Sequence, residues 1–349
     1  MRQLTEKPAT AMTAEARTLL SWYAAHGRDL PWRVKGGAHP DAYAVWVSEI
    51  MLQQTTVQTV MDYFARWMKR FPTLQALAAA DLDEVLRQWQ GLGYYARART
   101  LYKCAQAVCT QYGGAFPRDR EALLALPGIG PYTASSLCAF AFNQPETVVD
   151  GNVIRVLSRY YGLEGEVDRD RIYPLAQKLT PEAAPADYAS AIMDLGATVC
   201  RPAAPACADC PWQKNCVARK KGLQERIPVL RKPTRTRKAG AAFLLTDGKG
   251  GFFIRKRGGK GLLAGLWEIP WTEDGTPPFE GKWERLDGEV RHVFTHIDLT
   301  LRLYRGQPPY PPGPLAGGRF ITRSQQRSYA FSTLMRKVLA RIFQKSPSK

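Results

Sequence analysis

The stretch LPGIGPYTA, residues 126–134, decides how this chain is read. It places the turn Pro127-Gly128-Ile129-Gly130 between two apolar helical stretches, residues 121–126 and 131–142, and Pro131 suits the first turn of the second helix. Gly128 and Gly130, lacking a Cβ, let backbone N–H groups approach an anion, and the helix that follows presents its partial positive charge. The unit is a helix, a hairpin and a helix. Asp150 comes twenty residues beyond Gly130, immediately before a helix striped by Val153, Val156, Leu157 and Tyr160. Taken alone, such an aspartate reads as an N-cap.

Working outward, the first two thirds of the chain continue as helices joined by short Gly/Pro loops. Helices are predicted over residues 41–52, from Val57 through Met68, from an Asp81/Glu84 capping start to a stop at Gly91, and over residues 96–112. The segment RKPTRTRK, residues 231–238, has no apolar residue to pack and reads as a linker. Beyond it the pattern changes to strands: a hairpin over residues 241–257 around Asp247-Gly248-Lys249-Gly250, and one long alternating strand from Val293 to Leu303. Helix returns over residues 332–343. The predicted organisation is a mainly α domain over residues 1–226, a basic linker over 227–238 and a smaller α+β domain over 239–349.

The 349 residues carry Lys+Arg 49 against Asp+Glu 31, a net charge of +18. So basic a chain would repel itself without a polyanion or salt, which favours a nucleic acid or a membrane surface, and arginines spread through both halves beside many aromatic residues put nucleic acid first. Hydrophobic residues at 45% and charged residues at 23% exclude a disordered chain, and no apolar run is long enough to span a bilayer. With no secretory h-region at the N-terminus, a cytoplasmic protein is expected.

Two further features carry chemistry. Cys200, Cys207, Cys210 and Cys216 stand in the pattern C-x6-C-x2-C-x5-C, which as bare spacing fits a four-thiolate zinc site or an iron-sulfur cubane equally well. Cys104, Cys109 and Cys138 fall on apolar helical faces and read as core residues. In VWVSEIMLQQT, residues 45–55, Glu49 lies among Val45, Val47, Ile50 and Met51. A carboxyl flanked by apolar groups has its charged form disfavoured and can serve as a general acid near neutral pH.

These segments, together with GLGYYARAR (residues 91–99), VDGNVIRVLSR (149–159) and MDLGATVC (193–200), closely resemble the MutY adenine DNA glycosylases of the helix-hairpin-helix, endonuclease III superfamily. So do GLLAGLWEIP (261–270) and HVFTH (292–296), which look like that family's MutT-like C-terminal domain. The resemblance implies a two-lobed helical glycosylase domain with a 4Fe-4S cluster on the four cysteines, and a smaller Nudix domain. It further implies a monomeric, monofunctional enzyme of the cytoplasm, or nucleoid in a bacterium. Its partner is double-stranded DNA, from which it removes adenine mispaired with 8-oxoguanine or guanine.

Carried over residue by residue, the resemblance makes Glu49 the acid that protonates adenine N7. Asp150 stabilises or captures the oxocarbenium ion, with Tyr132 and Asn152 hydrogen-bonding the carboxylates and the site water. Trp32 and Arg33 match adenine-pocket residues, Gln54 and Tyr94 match residues that wedge into the duplex, and Phe294, Thr295 and His296 match a loop that inspects 8-oxoguanine. Bifunctional relatives carry a lysine where Tyr132 stands, and this chain has none between Lys103 and Lys178. The C-terminal domain lacks the magnesium-holding Nudix run and should bind without hydrolysing. Three departures stand out: a stretch between Arg33 and Trp46 a few residues longer than in relatives, Ser190 where relatives carry Gln or Glu, and Thr295 where they carry serine.

Overall fold

The computed structural model describes residues 12–34, 40–229, 234–258, 261–307 and 317–343. By its own contacts the chain parts into two compact units, residues 1–78 with 103–231, and residues 79–102 with 232–349. The predicted architecture is observed: a helical part carrying the helix-hairpin-helix and a smaller part built on β-sheet. No helix among the described residues is long and apolar enough to cross a membrane.

In the first unit the predicted helices form as Ala42–Leu52, capped by Asp41, and Val57–Arg70. Gly151–Tyr161 begins at Asp150 and stops at Gly162, which takes the left-handed φ of 66° that a Cβ disfavours. The helix after the hairpin is α only over Pro131–Ser136 and then widens into a π-helical segment, Leu137–Ala141. A second π-helical segment, Leu195–Val199, follows Pro185–Asp194. π-Helical turns concentrate at functional sites because they re-aim side chains at little cost in hydrogen bonds. The core of this unit joins Leu19, Ala139, Val153, Val156, Leu157, Ala191, Ile192 and Leu195.

The second unit holds seven strands among the described residues: β1 (Thr236–Leu245), β2 (Phe252–Lys256), β3 (Trp267–Glu268), β4 (Trp271–Thr272), β5 (Trp283–Val293), β6 (Ile297–Gly306) and β7 (Gly318–Ile321). They make one sheet of order β4-β1-β6-β5 and one of order β3-β2-β7. The helix Thr333–Ile342, capped by Ser332, packs Leu334, Met335, Val338 and Leu339 into their core.

Three expectations are corrected here. The predicted hairpin of residues 241–257 closes only at its turn, where Thr246 and Phe252 form an antiparallel bridge and Asp247 N–H bonds Gly251 O at 3.2 Å; beyond it β1 is paired along its length with parallel β6 and at Ala241–Ala242 with β4, so β2 joins the other sheet. The predicted long strand from Val293 is broken at residues 294–296. Phe294 N–H bonds Ile297 O at 2.7 Å and turns β5 back along β6, a reversal that period-2 alternation alone cannot signal. Strand β1 also starts at Thr236, inside the segment read as linker, because ladder bonds to Ile297–Leu299 order it without apolar side chains. The rest of that linker falls largely on residues 230–233, outside the described residues.

Residues 79–102, which the sequence assigned to the helical domain, group with the C-terminal residues. The causes are specific. Gln90 Nε2 donates to Phe331 O at 2.9 Å, Arg87 Nη1 to Ser328 O at 3.1 Å, and Asp83 accepts from Trp267 Nε1 at 3.3 Å and pairs with Lys256 at 2.5 Å.

Candidate active site

Glu49 sits in the helix Ala42–Leu52, whose residues from Val45 to Met51 are all buried, and is itself only 7% exposed. Burial pushes its carboxyl up to about 7; the Tyr132 hydroxyl opposes this, the nearby Asp150 adds to it, and Arg33 opposes it. Tyr132 and Ser136 are four residues apart on Pro131–Ser136 and so share one helical face. Burial also drives the Tyr132 phenol well above its ordinary range, keeping it a neutral donor.

Asp150 fulfils both readings of its sequence position. One carboxylate oxygen caps its helix by accepting the Val153 N–H at 2.8 Å, and the other accepts Asn152 Nδ2 at 2.9 Å. Burial raises its pKa while these two donors pull it down. Asn152 is fixed in turn, since its Oδ1 accepts Arg155 Nη2 at 2.7 Å, and the same guanidinium reaches Gly196 O at 2.7 Å and Cys200 O at 2.8 Å. Gly196 is required by this approach, because a Cβ there would stand 2.6 Å from the Cβ of Asn152.

Glu49, Tyr132, Asp150 and Asn152 line one cavity of about 1030 Å³, and Trp32 and Arg33 line it too. That is the upper end of small-molecule sites, about 300–1,000 Å³. Arg33 donates to Asp194 Oδ2 at 2.9 Å, and Arg28 clamps the same carboxylate through its backbone N–H, Nε and Nη2 at 2.7–2.8 Å. Asp194 is fully buried; burial pushes its pKa up, but Arg33 and Arg28 outweigh it and hold the carboxyl below its ordinary value. Sequence reasoning missed Arg28, Asp194, Tyr23 and Ser136 as parts of this site. The quoted motif MDLGATVC contained Asp194, but nothing in it shows that two arginines from residues 28–33 converge there.

The other expected residues lie elsewhere. Gln54 is exposed beside cavity-lining Gln53 and Thr55, and Gly128 and Gly130 are exposed at the hairpin. In the second unit, the Tyr94 hydroxyl meets that of Thr295, in the β5–β6 turn that also holds Phe294 and His296. Gln54 (φ 62°) and Tyr94 (φ 48°) are both left-handed, a conformation that costs a side-chain-bearing residue free energy and gathers at functional positions.

The four cysteines of the loop line one small cavity with Arg159 and Arg219. Arg159 is buried, donates to Cys200 Sγ at 3.4 Å and to the carbonyls of Arg201, Pro202 and Ile227 at 2.6–3.0 Å, so it ties the loop to the helix Gly151–Tyr161. No group of three or more His, Cys, Asp or Glu among the described residues is gathered so as to hold a metal ion. Cys104 and Cys138 are core residues, as expected.

A glutamate protonated near neutral pH and a capped aspartate facing the same cavity make an acid paired with a charge stabiliser, the arrangement used to cleave glycosidic bonds. Comparison agrees on the class. Residues 47–182 match the HhH-GPD superfamily base excision DNA repair proteins, and residues 241–341 match the NUDIX domain. Among solved structures, a thermostable thymine-DNA glycosylase is 30% identical with TM-score 0.54, covering 59% of this chain and 95% of that one. A non-covalent endonuclease III–DNA complex, at 23% identity and TM-score 0.51 over 60% of this chain and 95% of that one, shares the fold.

The adenine DNA glycosylase of Rattus norvegicus is 38% identical over 94% of this chain and 77% of its own length, and that of Homo sapiens 37% over 95% and 74%. The chain belongs to the adenine DNA glycosylase family.

Proposed function

We propose that the cavity receives an adenine extruded from duplex DNA, where it stands opposite 8-oxoguanine or guanine, and that the N-glycosidic bond is hydrolysed there. The observation that carries this reading is the convergence of Glu49, with a pKa of about 7, and Asp150 on one cavity. A base inside the stack cannot be reached, so extrusion must precede chemistry. Neutral Glu49 protonates adenine N7 and turns the base into a leaving group. Asp150, whose carboxylate accepts from Val153 N–H and Asn152 Nδ2, stabilises in its ionised form the positive charge growing at C1′. Tyr132 orients Glu49 and supplies no amine, so the sugar forms no Schiff base.

Single-turnover assays on duplexes pairing adenine with 8-oxoguanine, guanine or cytosine test this. Adenine loss opposite the first two is expected, with strands breaking only after alkali. No release opposite 8-oxoguanine would sink the reading, and nicking without alkali would sink its monofunctional part.

The exposed Gly128/Gly130 hairpin suits a backbone phosphate, and the strained Gln54 and Tyr94 suit wedges that hold the duplex open. The Tyr94 and Thr295 hydroxyls meet, which makes the β5–β6 turn a fitting reader of 8-oxoguanine. Thr295→Val should lower the preference for 8-oxoguanine over guanine duplexes by about 1–3 kcal/mol. The ratio must be measured at fixed salt, since a chain of +18 charge binds any duplex tightly when salt is low.

Cys200, Cys207, Cys210 and Cys216 are the proposed ligands of a 4Fe-4S cluster, which would supply a charged cross-link between the loop and the helix Gly151–Tyr161. The donor set fits. The four thiols line one cavity, and Arg159 donates to Cys200 Sγ there. Anaerobically purified protein should contain about four irons per chain with acid-labile sulfide. Stoichiometric zinc without sulfide would replace this assignment with a structural zinc site.

A further inference from the structure

Asp194 closes the helix Pro185–Asp194, is fully buried and lies behind the cavity rather than on its lining. Its carboxylate takes four donors at 2.7–2.9 Å: Oδ1 accepts Nε and Nη2 of Arg28, and Oδ2 accepts the Arg28 backbone N–H and Nη1 of Arg33. A carboxylate has about four acceptor sites, so none is left for a substrate. Whatever Asp194 does for the cavity passes through the two arginines, both of which line it.

Those arginines set a problem for the acid. A guanidinium keeps its charge at every working pH, and a positive charge about 4–6 Å from a carboxyl favours the ionised form, lowering its pKa by about 1–3. Glu49 can donate only while it is protonated. Burial and Asp150 keep the proton on it, whereas Tyr132 and Arg33 act the other way. Arg33 is the cation among these, and Asp194 is bonded to it. Tyr23, which faces Asp194 from the helix Ala14–His26, adds no charge, because burial raises its phenol above the ordinary range.

We propose that Asp194 is a positioning residue of the general-acid step: as the shared counter-ion of Arg28 and Arg33 it screens Glu49 from their charge and so keeps the proton on the acid. This rests on the reading that Glu49 is the acid that releases adenine. Charge counting gives the sign of each variant. Arg28, Arg33 and Asp194 together carry one net positive charge. Asp194→Asn keeps the size and raises the sum to two, leaving Arg33 uncompensated in front of Glu49. Arg28→Gln lowers the sum to zero and leaves Asp194 to Arg33 alone. Asp150 and Asp187, the other carboxylates on the cavity, are common to both variants.

The test is the pH dependence of single-turnover adenine release by the full chain, at saturating protein and fixed salt, since salt screens such charges. In the wild type the rate should fall as pH rises through about 7. The midpoint of that fall should move down in Asp194→Asn, by on the order of one pH unit, and up in Arg28→Gln. A structural role alone would lower the rate at all pH values alike and leave the midpoint in place. Unchanged midpoints, or shifts of the same sign in both variants, would overturn the proposal. A wild-type rate that does not fall through neutral pH would instead remove Glu49 as the acid, and this proposal with it. Taking the charge from a buried ion pair can unfold a protein. If Asp194→Asn did not fold, Arg28→Gln, at a partly exposed position, decides by itself: an upward shift supports the screening role and an unmoved midpoint overturns it.

Discussion

Glu49→Gln is expected to reduce single-turnover adenine release by about 10²- to 10⁴-fold, the usual contribution of a general acid, while leaving duplex binding largely intact. The amide matches the carboxyl in size, so the buried helix Ala42–Leu52 keeps its packing and only the transferable proton is lost. In the wild type the rate should fall as pH rises through about 7, because the neutral carboxyl is the donor. The sign for stability runs the same way. The folded carboxyl titrates near 7 and the unfolded one near 4.5, so the folded state retains a proton across that window and loses stability as pH rises through it. The difference amounts to about 3 kcal/mol above neutrality. Glu49→Gln should therefore melt higher than wild type at pH 8 and show no such advantage near pH 4. A near-normal rate in this variant would remove Glu49 as the acid, and equal melting temperatures at pH 8 would remove the burial argument behind its pKa.

Asp150→Asn is expected to cost at least about 10²–10³-fold in rate, comparable to removing one preorganised stabilising group from an active site. It should do so with little loss of stability. Asparagine caps helices about as well as aspartate, so the Val153 N–H keeps an acceptor and the helix Gly151–Tyr161 keeps its start. What disappears is the negative charge facing the cavity. The amide also sets an NH2 group against Asn152, whose own orientation is fixed by Arg155. Paired measurements of single-turnover rate and thermal melting decide the matter. A variant that melts far below wild type while retaining its rate would show that Asp150 serves the helix alone.

The sequence by itself determined the elements whose causes are local. Asp41, Asp81, Asp150 and Ser332 were readable as helix starts because an N-cap satisfies N–H groups two or three residues away. The hairpin was legible because its turn needs the left-handed φ of 77° that Gly128 supplies, and Glu49 because its neighbours are apolar. The spacing of the four cysteines was equally plain, though not what they hold.

Tertiary structure decided what depends on partners distant in sequence. Strand β2 leaves β1 because β6 and β4 occupy the edges of β1, and the strand read as continuous turns at Phe294 because β6 pairs back on β5. Asp150 is both cap and cavity wall because its second oxygen, unused by the cap, faces Asn152. Arg28 and Arg33 converge on Asp194 across about 160 residues. No periodicity encodes such meetings, because a side chain's burial, and with it the pKa of Glu49, is set by whatever the fold brings against it.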